Sequence, residues 1–341
     1  MPFGCAVSKA TLLSKCDWRA PVTSRRISVA LPTYRRPELL RRALASLVAQ
    51  THADWTAHVF DDSPDCEGAK VVSAFDDGRI RYTANSQRAG AAINIDRCFG
   101  NRLGPGPGLA MILEDDNYLL PGFLELAVEE MSLSQAWMGL FNQRVHDEDS
   151  GLAPTSTTTR GAWFSSGWVS PLELHASLLL MEGLSNGGIV WRLDCGERLA
   201  VGDAVLYSGL HEACRSLLVR RAFWFCSESL AVWTRNRPAE SARKDERNRV
   251  VSRGQQSVTR AVLARHGQAA VRRALGWCRD RTARQVLVSN LLHGGFWTEA
   301  LQVDAKLAMQ SWAKVCKGIA SRWLVEDPCG EFMRTLPQHT V

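Results

Sequence analysis

Glu114-Asp115-Asp116-Asn117 sets three consecutive carboxylates directly after the apolar run Leu109 to Leu113. A buried strand delivers such residues to its carboxyl end, the edge at which open α/β sheets bind ligands. Adjacent carboxylates repel one another unless a cation neutralises them, and Mg2+ and Mn2+ are hard ions that take carboxylate oxygen. The chemistry this spacing serves is a metal-bound, phosphorylated substrate. A solvated acidic turn ahead of a helix starting near Pro121 is the plainer reading of the segment alone.

Two further apolar runs end the same way. Trp55 to Phe60 runs into Asp61-Asp62-Ser63-Pro64, and Ile27 to Leu31 runs into Pro32-Thr33-Tyr34-Arg35-Arg36. Each cluster alone is strand-end punctuation. Three together imply one parallel sheet that presents all three loops on one edge, and with them a nucleotide site. No Gly-x-Gly-x-x-Gly follows the first run and no Gly-Lys-Ser or Gly-Lys-Thr loop exists, which disfavours dinucleotide oxidoreductases and P-loop enzymes.

Pro32-Thr33-Tyr34, Asp61-Asp62, Arg88 with Ala91, Ile93 and Asn94 on a following helix, and Asp115-Asp116-Asn117 together resemble family 2 glycosyltransferases, nearest the spore-coat polysaccharide type. The resemblance is strong over roughly residues 25–125 and weak over 185–242. It implies a GT-A fold, an inverting reaction, a UDP- or dTDP-sugar donor, and Mn2+ or Mg2+ as cofactor. It makes Asp116 the metal ligand and Asp115 a contact to ribose or metal, with Glu114 on the same ion or supporting the loop. Asp61 or Asp62 then accepts from a pyrimidine imide, Thr33, Tyr34 and Arg88 surround base and ribose, and Pro32, Arg36 and Asn94 complete the nucleotide-sugar set.

An inverting displacement also needs a base to take the acceptor's proton. The resemblance points to Asp203, since the family carries an acid at a similar helix start, usually after another acid that Gly202 replaces here. A plain helix N-cap explains Asp203 equally, and Glu197 and Glu212 are the fallbacks. Asn186-Gly187-Gly188 with Ile189 to Arg192 resembles the acceptor-side strand, where glycine lets backbone approach a sugar. The acceptor is a hydroxyl on a polysaccharide, lipid, protein, small molecule or modified nucleic acid, and the fold cannot choose among these.

These residues need an α/β scaffold. Leu39, Leu40, Ala43, Leu44 and Leu47 recur at helical spacing after Pro37. Arg79 to Thr83 reads as a strand, Gly90 to Phe99 as a helix, Pro121 to about Met131 as a helix, and Trp137 to Asn142 as a strand. Asp147 to Ser166 is polar enough to be an exposed loop or a lid that keeps water from the activated sugar. Trp163 and Trp168, two of twelve tryptophans, could stack on a sugar there or belong to the core. Phe223 to Phe225 and Leu230 to Thr234 read as two short strands, followed by Arg235-Asn236-Arg237-Pro238 as a loop over the diphosphate. His52, His58, His146, His175 and His211 lack metal-ligand spacing, although His211 could line the acceptor cleft. From Ser241 to about Ile319 the pattern is almost wholly helical.

The division expected is a leader over 1–25, a GT-A domain over 26–240 split near 125 into nucleotide-sugar and acceptor halves, and a helical extension over 241–341. The 341 residues carry a net charge of +6, concentrated as arginine between Arg235 and Arg284. An anionic partner is met there: an anionic acceptor, nucleic acid or a membrane surface. Ten cysteines stand singly and read as reduced thiols. No run nears the roughly 20 apolar residues of a bilayer span and Met1 to Ala20 has no signal-peptide core, so a cytoplasmic protein, peripheral to a membrane at most, is expected. Two rivals stay open: a sugar-phosphate nucleotidyltransferase, which needs a glycine- and lysine-rich loop after the first strand, and a degenerate GT-A domain that binds an anionic polymer or nucleic acid.

Overall fold

A computed structural model describes residues 24–100, 102–104, 106–148, 151, 153–161, 163–195, 199–235, 244–322 and 326–336, without the side chains of 244–248 and 313–322. Nearly all of the expected leader, Glu197 and Asn236-Arg237-Pro238 lie outside the described residues. The strands are β1 (Ile27–Thr33), β2 (Trp55–Asp61), β3 (Ile80–Ala84), β4 (Leu109–Ile112), β5 (Tyr118–Leu119), β6 (Met138–Asp147), β7 (Gly167–Val169), β8 (Ile189–Arg192) and β9 (Phe223–Arg235). The helices are α1 (Pro37–Val48), α2 (Glu67–Ser73), α3 (Ala91–Phe99), α4 (Phe123–Ser134), α5 (Pro171–Leu178), α6 (Ser208–Leu218), α7 (Lys244–His266), α8 (Gln268–Trp277), α9 (Arg281–Gly294), α10 (Trp297–Arg322) and α11 (Gly330–Thr335).

Strand order is β3-β2-β1-β4-β8-β6-β9-β5, with β7 also on β9. β1 to β4 run parallel, β8 is antiparallel between β4 and β6, β6 and β9 are parallel, and β5 and β7 lie antiparallel on β9. Side chains alternate across a strand, so each strand feeds two cores. Ile27, Val29, Leu31 and Met111 pack with Leu40, Leu44, Leu47 and Phe123 on one face. Ala30, Ala110 and Ile112 join Leu174, Leu210 and Val262 on the other. With both faces covered, the central strands read as continuous apolar runs.

The expected pair of short strands is one long strand, β9. Its register against β6 shifts between Phe141 and Gln143, so the polar Ser227 to Ser229 stretch passes an irregularity instead of making a turn. β6 in turn runs to Asp147 through its parallel pairing with β9, and segment 155–159 hydrogen-bonds back onto it through Val145 N to Thr157 O and Thr159 N to Gln143 O, 2.9 Å each. That pairing fixes part of the loop expected as a lid.

The C-terminal helices share the core of α5 and α6. Gln255 and Asn290 donate side-chain amides to the carbonyls of Leu178 and Leu179 at 2.8 and 2.9 Å, closing the carboxyl end of α5. They thereby brace the half of the molecule that carries β8 and α6.

Candidate active site

Parallel register brings the ends of β1, β2 and β4 side by side: Thr33 pairs with Asp61, Asp62 N donates to Thr33 O, and Leu113 N donates to Ala30 O. Above this edge lies a cleft of about 140 Å³ lined by Pro32, Thr33, Tyr34, Arg36, Asp62, Ala91, Asn94, Ile95, Glu114, Asp115 and Asp116. Ten of these appear in the sequence motifs, Ala91 among them, and Ile95 does not. Arg35 takes a left-handed backbone, φ 52°, and its N–H donates to Ser63 Oγ at 2.8 Å. That turn and Pro37 at the start of α1 aim Arg36 back at the acidic loop.

Arg36 Nη1 donates to Asp116 Oδ2 at 2.8 Å and to Asp115 Oδ1 at 3.3 Å. Thr33 Oγ1 donates to Asp115 Oδ2 at 2.7 Å. Burial, then Asp116 and Glu212, push Glu114 up to about 8 despite a hydrogen bond from Asn186. Burial also leads for Asp115, held at about 6 with Asp116 adding to it and Arg36 opposing. One half-exposed guanidinium does not offset three clustered carboxyls.

That excess fits a divalent ion. The donors are carboxylate oxygens, the kind hard dications take. Among the described residues no group of three His, Cys, Asp or Glu forms a closed ligand set. An ion here would be held by one or two carboxylates and completed by substrate phosphates and water.

Asp61 and Asp62 have separate tasks. Asp61 is wholly buried and accepts from Ser63 N, Gly68 N and Tyr82 Oη at 2.8, 2.9 and 3.0 Å, so it ties β2 to α2 and β3 and does not line the cleft. A Cβ on Gly68 would come within 2.7 Å of Asp61, which is why glycine stands there. Asp62 lines the cleft while holding Asn85 Nδ2, Ala89 N and Gly90 N at 2.8 to 2.9 Å. Arg88 stands outside the cleft lining but lies 4.5 Å over the Tyr34 ring. Asn94 is fixed by Arg102, which also reaches Asn85. No local spacing announced Arg102 or Ile95.

Around β8 and α6 the expected residues divide. Asp203 sits on an exposed turn, five residues ahead of α6, whose N-cap is Tyr207; it neither caps the helix nor lines the cleft. Its loop is held instead by Asp96, which accepts from Val201 N and Gly202 N at 2.9 and 2.8 Å. Arg215, fully buried on α6, donates to Asp96, to Asn186 Oδ1 (both 2.6 Å) and to Leu199 O (3.0 Å). Asn186 Nδ2 in turn reaches Glu114 Oε1 at 3.3 Å. Glu212, one turn before Ser216 on α6, accepts the Asn186 N–H, and burial lifts it to about 7 against the pull of Arg215 and Arg160.

Three open readings narrow. Gly188 is demanded by β6, since a Cβ there would lie 2.6 Å from Phe141 O. His211 is buried, bonded to Val205 O and 3.4 Å from Asp96, so it is a core histidine. Trp163 stacks on Trp277 at 5.5 Å and belongs to the core, whereas Trp168 is half-exposed.

Residues 28–170 match the family model described as Glycosyl transferase family 2. The matched segment, less than half of the chain, is similar to that family. S. aureus TarS is similar in fold at TM-score 0.50 and 14% identity, over 91% of this chain and 54% of that one. TarS 1-349 of S. aureus, solved in complex with UDP, has the same TM-score and identity over 87% of this chain and 88% of that one. The chain thus spans about half the length of the longer TarS. At this identity the likeness establishes the fold, which is GT-A. No curated protein matches the sequence, and among the described residues no helix is long and apolar enough to cross a membrane.

Proposed function

We propose that the chain transfers a sugar, with inversion, from a UDP- or dTDP-sugar to an acceptor hydroxyl, with Mn2+ or Mg2+ as cofactor. The observation that carries this reading is the single cleft at the sheet edge in which Thr33, Tyr34, Arg36, Asp62, Asn94 and the Glu114 to Asp116 run converge. Asp116 and Asp115 would hold the ion. When bound, it offsets charge developing on the diphosphate leaving group. Tyr34, flanked by Arg88, offers a face for the base, Thr33 orients Asp115, and Arg36 supplies a second cation beside the phosphates.

For the base that takes the acceptor proton we favour Glu212 over Asp203: neither lines the cleft, but Glu212 is linked through Asn186 to Glu114 at its wall. Glu212 is anchored to Asn186, which also holds Glu114, and a carboxyl titrating near neutrality suits general base catalysis. Exposed Arg249 and its arginine-rich neighbours supply the contact for an anionic acceptor. The motif likeness to the spore-coat type and a cytoplasmic location belong to the same reading. A nucleotidyltransferase is less favoured, because Thr33-Tyr34-Arg35 stands where it needs a flexible glycine-lysine loop.

A thermal-shift screen of nucleotides and nucleotide sugars, with and without Mn2+, tests the reading. UDP or dTDP, the former being the nucleotide carried by TarS 1-349, should raise the melting temperature only when the metal is present. No shift with any nucleotide in either condition would contradict it.

A further inference from the structure

We propose that Arg42 is a positioning residue that sets the backbone of the metal loop and couples it to the segment leaving β6. The proposal rests on the glycosyltransferase reading above and adds to it a residue outside the cleft lining. Arg42 lies on α1, part-buried, and its guanidinium serves three partners from distant parts of the chain. Nη2 donates to the carbonyl of Asp116 at 2.5 Å. Nη1 pairs with Glu148, the residue that follows β6. The guanidinium plane lies 4.9 Å from the Tyr118 ring centre, and Tyr118 Oη contacts His146 Nδ1 at 3.2 Å.

The rest of the loop is held from elsewhere. Asn117 N donates to Glu114 O at 2.9 Å, Asn117 Nδ2 donates to Glu114 Oε2 at 2.9 Å, and Thr234 N donates to Asn117 Oδ1 at 2.9 Å. Those bonds fix both ends of Glu114 to Asn117, and Arg42 adds a bond to the Asp116 carbonyl between them. The two arginines near the start of α1 thus divide Asp116: Arg36 takes its carboxylate and Arg42 its carbonyl. Because the carbonyl direction sets the peptide plane, it sets where the carboxylate can point. Glu148 begins the segment whose later residues 155–159 pair with β6, so the same guanidinium ties that segment to the loop.

Only arginine has the planar fork that can meet a carbonyl, a carboxylate and a ring face together. Arg42→Lys keeps the charge and loses the bridge. Partners of this outer kind usually carry 10–100-fold in metal affinity. Calorimetry with UDP present should show Mn2+ binding about 10- to 100-fold weaker in Arg42→Lys, with turnover reduced at saturating metal. In the metal-free protein, amide exchange should quicken at Asp116 to Tyr118 and not in β1 or β2. Glu148→Gln, which weakens one arm and keeps the other two, should lose less, and the double variant should be no worse than Arg42→Lys alone. A folded Arg42→Lys with unchanged Mn2+ affinity and unchanged loop exchange overturns the proposal and leaves the glycosyltransferase reading standing. Should Arg42→Lys fold poorly, additive losses between Glu148→Gln and Tyr118→Leu, which removes the ring face that Arg42 meets, would overturn it instead. Wild-type protein with no metal-dependent nucleotide binding overturns the reading from which the proposal starts.

Discussion

Asp115 and Asp96 are both aspartates with almost no exposed surface, yet their environments drive them in opposite directions. Asp115 is held at about 6, foremost by burial, with Asp116 beside it and one shared arginine. For Asp96 burial also pushes upward, but His211, Arg215 and the N–H groups of Val201 and Gly202 outweigh it and hold the carboxyl at about 2. The acceptor-side cluster is neutralised within the fold. The cluster at the sheet edge is left with more negative charge than the fold offsets, which costs stability and would be relieved by the cation proposed above. Burial alone does not mark a functional acid; an unbalanced neighbourhood on the edge of a cleft does.

The contrast breaks most sharply at the base. Glu212→Gln should keep donor binding and lower turnover by about 10²–10⁴-fold, the usual reach of general base catalysis, whereas Asp203→Asn should transfer at a near-normal rate. Steady-state assays with a transferred sugar decide this, and the reverse pattern would return the role to the exposed turn at Asp203.

Next in size is the neutralised cluster. Arg215→Met leaves Asp96 charged and buried, and should cost about 3–5 kcal/mol of stability in urea unfolding, the range for breaking one half of a buried pair. A loss under 1 kcal/mol would mean that Asp96 is held well enough by the loop N–H groups alone.

Acid should act on that side of the molecule in two steps. His175, buried with Arg265 and His266 nearby, is held at about 3, foremost by burial. Its folded pKa is below the unfolded 6.5, so protonation favours the unfolded chain and stability declines as pH falls from about 6.5 towards 3. Asp96 is depressed from 3.8 to about 2, so its contribution is full above 3.8 and is lost as pH falls through 2. At 1.36 kcal/mol per pKa unit that is about 2 kcal/mol. Melting temperatures measured from pH 8 to 2.5 should show His175→Gln flattening the upper part of the decline and sparing the lower.

How much of this was legible in the sequence follows from the range of each contact. The three strand-to-loop transitions were readable because apolar alternation and turn residues are local, and they placed Pro32, Thr33, Tyr34, Arg36, Asp62, Asn94 and the Glu114 to Asp116 run on one edge. Arg215 meets Asp96 across 119 residues and Arg42 meets Asp116 across 74, and no spacing encodes such pairs. Asp203 was misread as a helix start because Gly202-Asp203 has capping chemistry, while the chain makes a turn there and begins α6 later. β9 was split at Ser227 because a polar stretch inside a strand is indistinguishable from a turn until its partner β6 is known.

The smallest expected effect concerns the basic helix. Arg249→Glu should raise the apparent KM for an anionic acceptor a few-fold at low salt, with the difference fading as the Debye length falls to about 10 Å at 0.1 M. Donor binding should not change. Equal KM at low salt would make α7 a solvated face.

The central claim, that the acidic loop carries uncompensated charge for a metal–diphosphate, is tested most directly by calorimetric titration of UDP into wild-type protein and Asp116→Asn, each with Mn2+ and with excess chelator. The account predicts tight binding only for the wild type with metal, because the diphosphate otherwise meets Asp115 and Asp116 unshielded. Equal UDP affinity in chelator, or in Asp116→Asn with Mn2+, would contradict it.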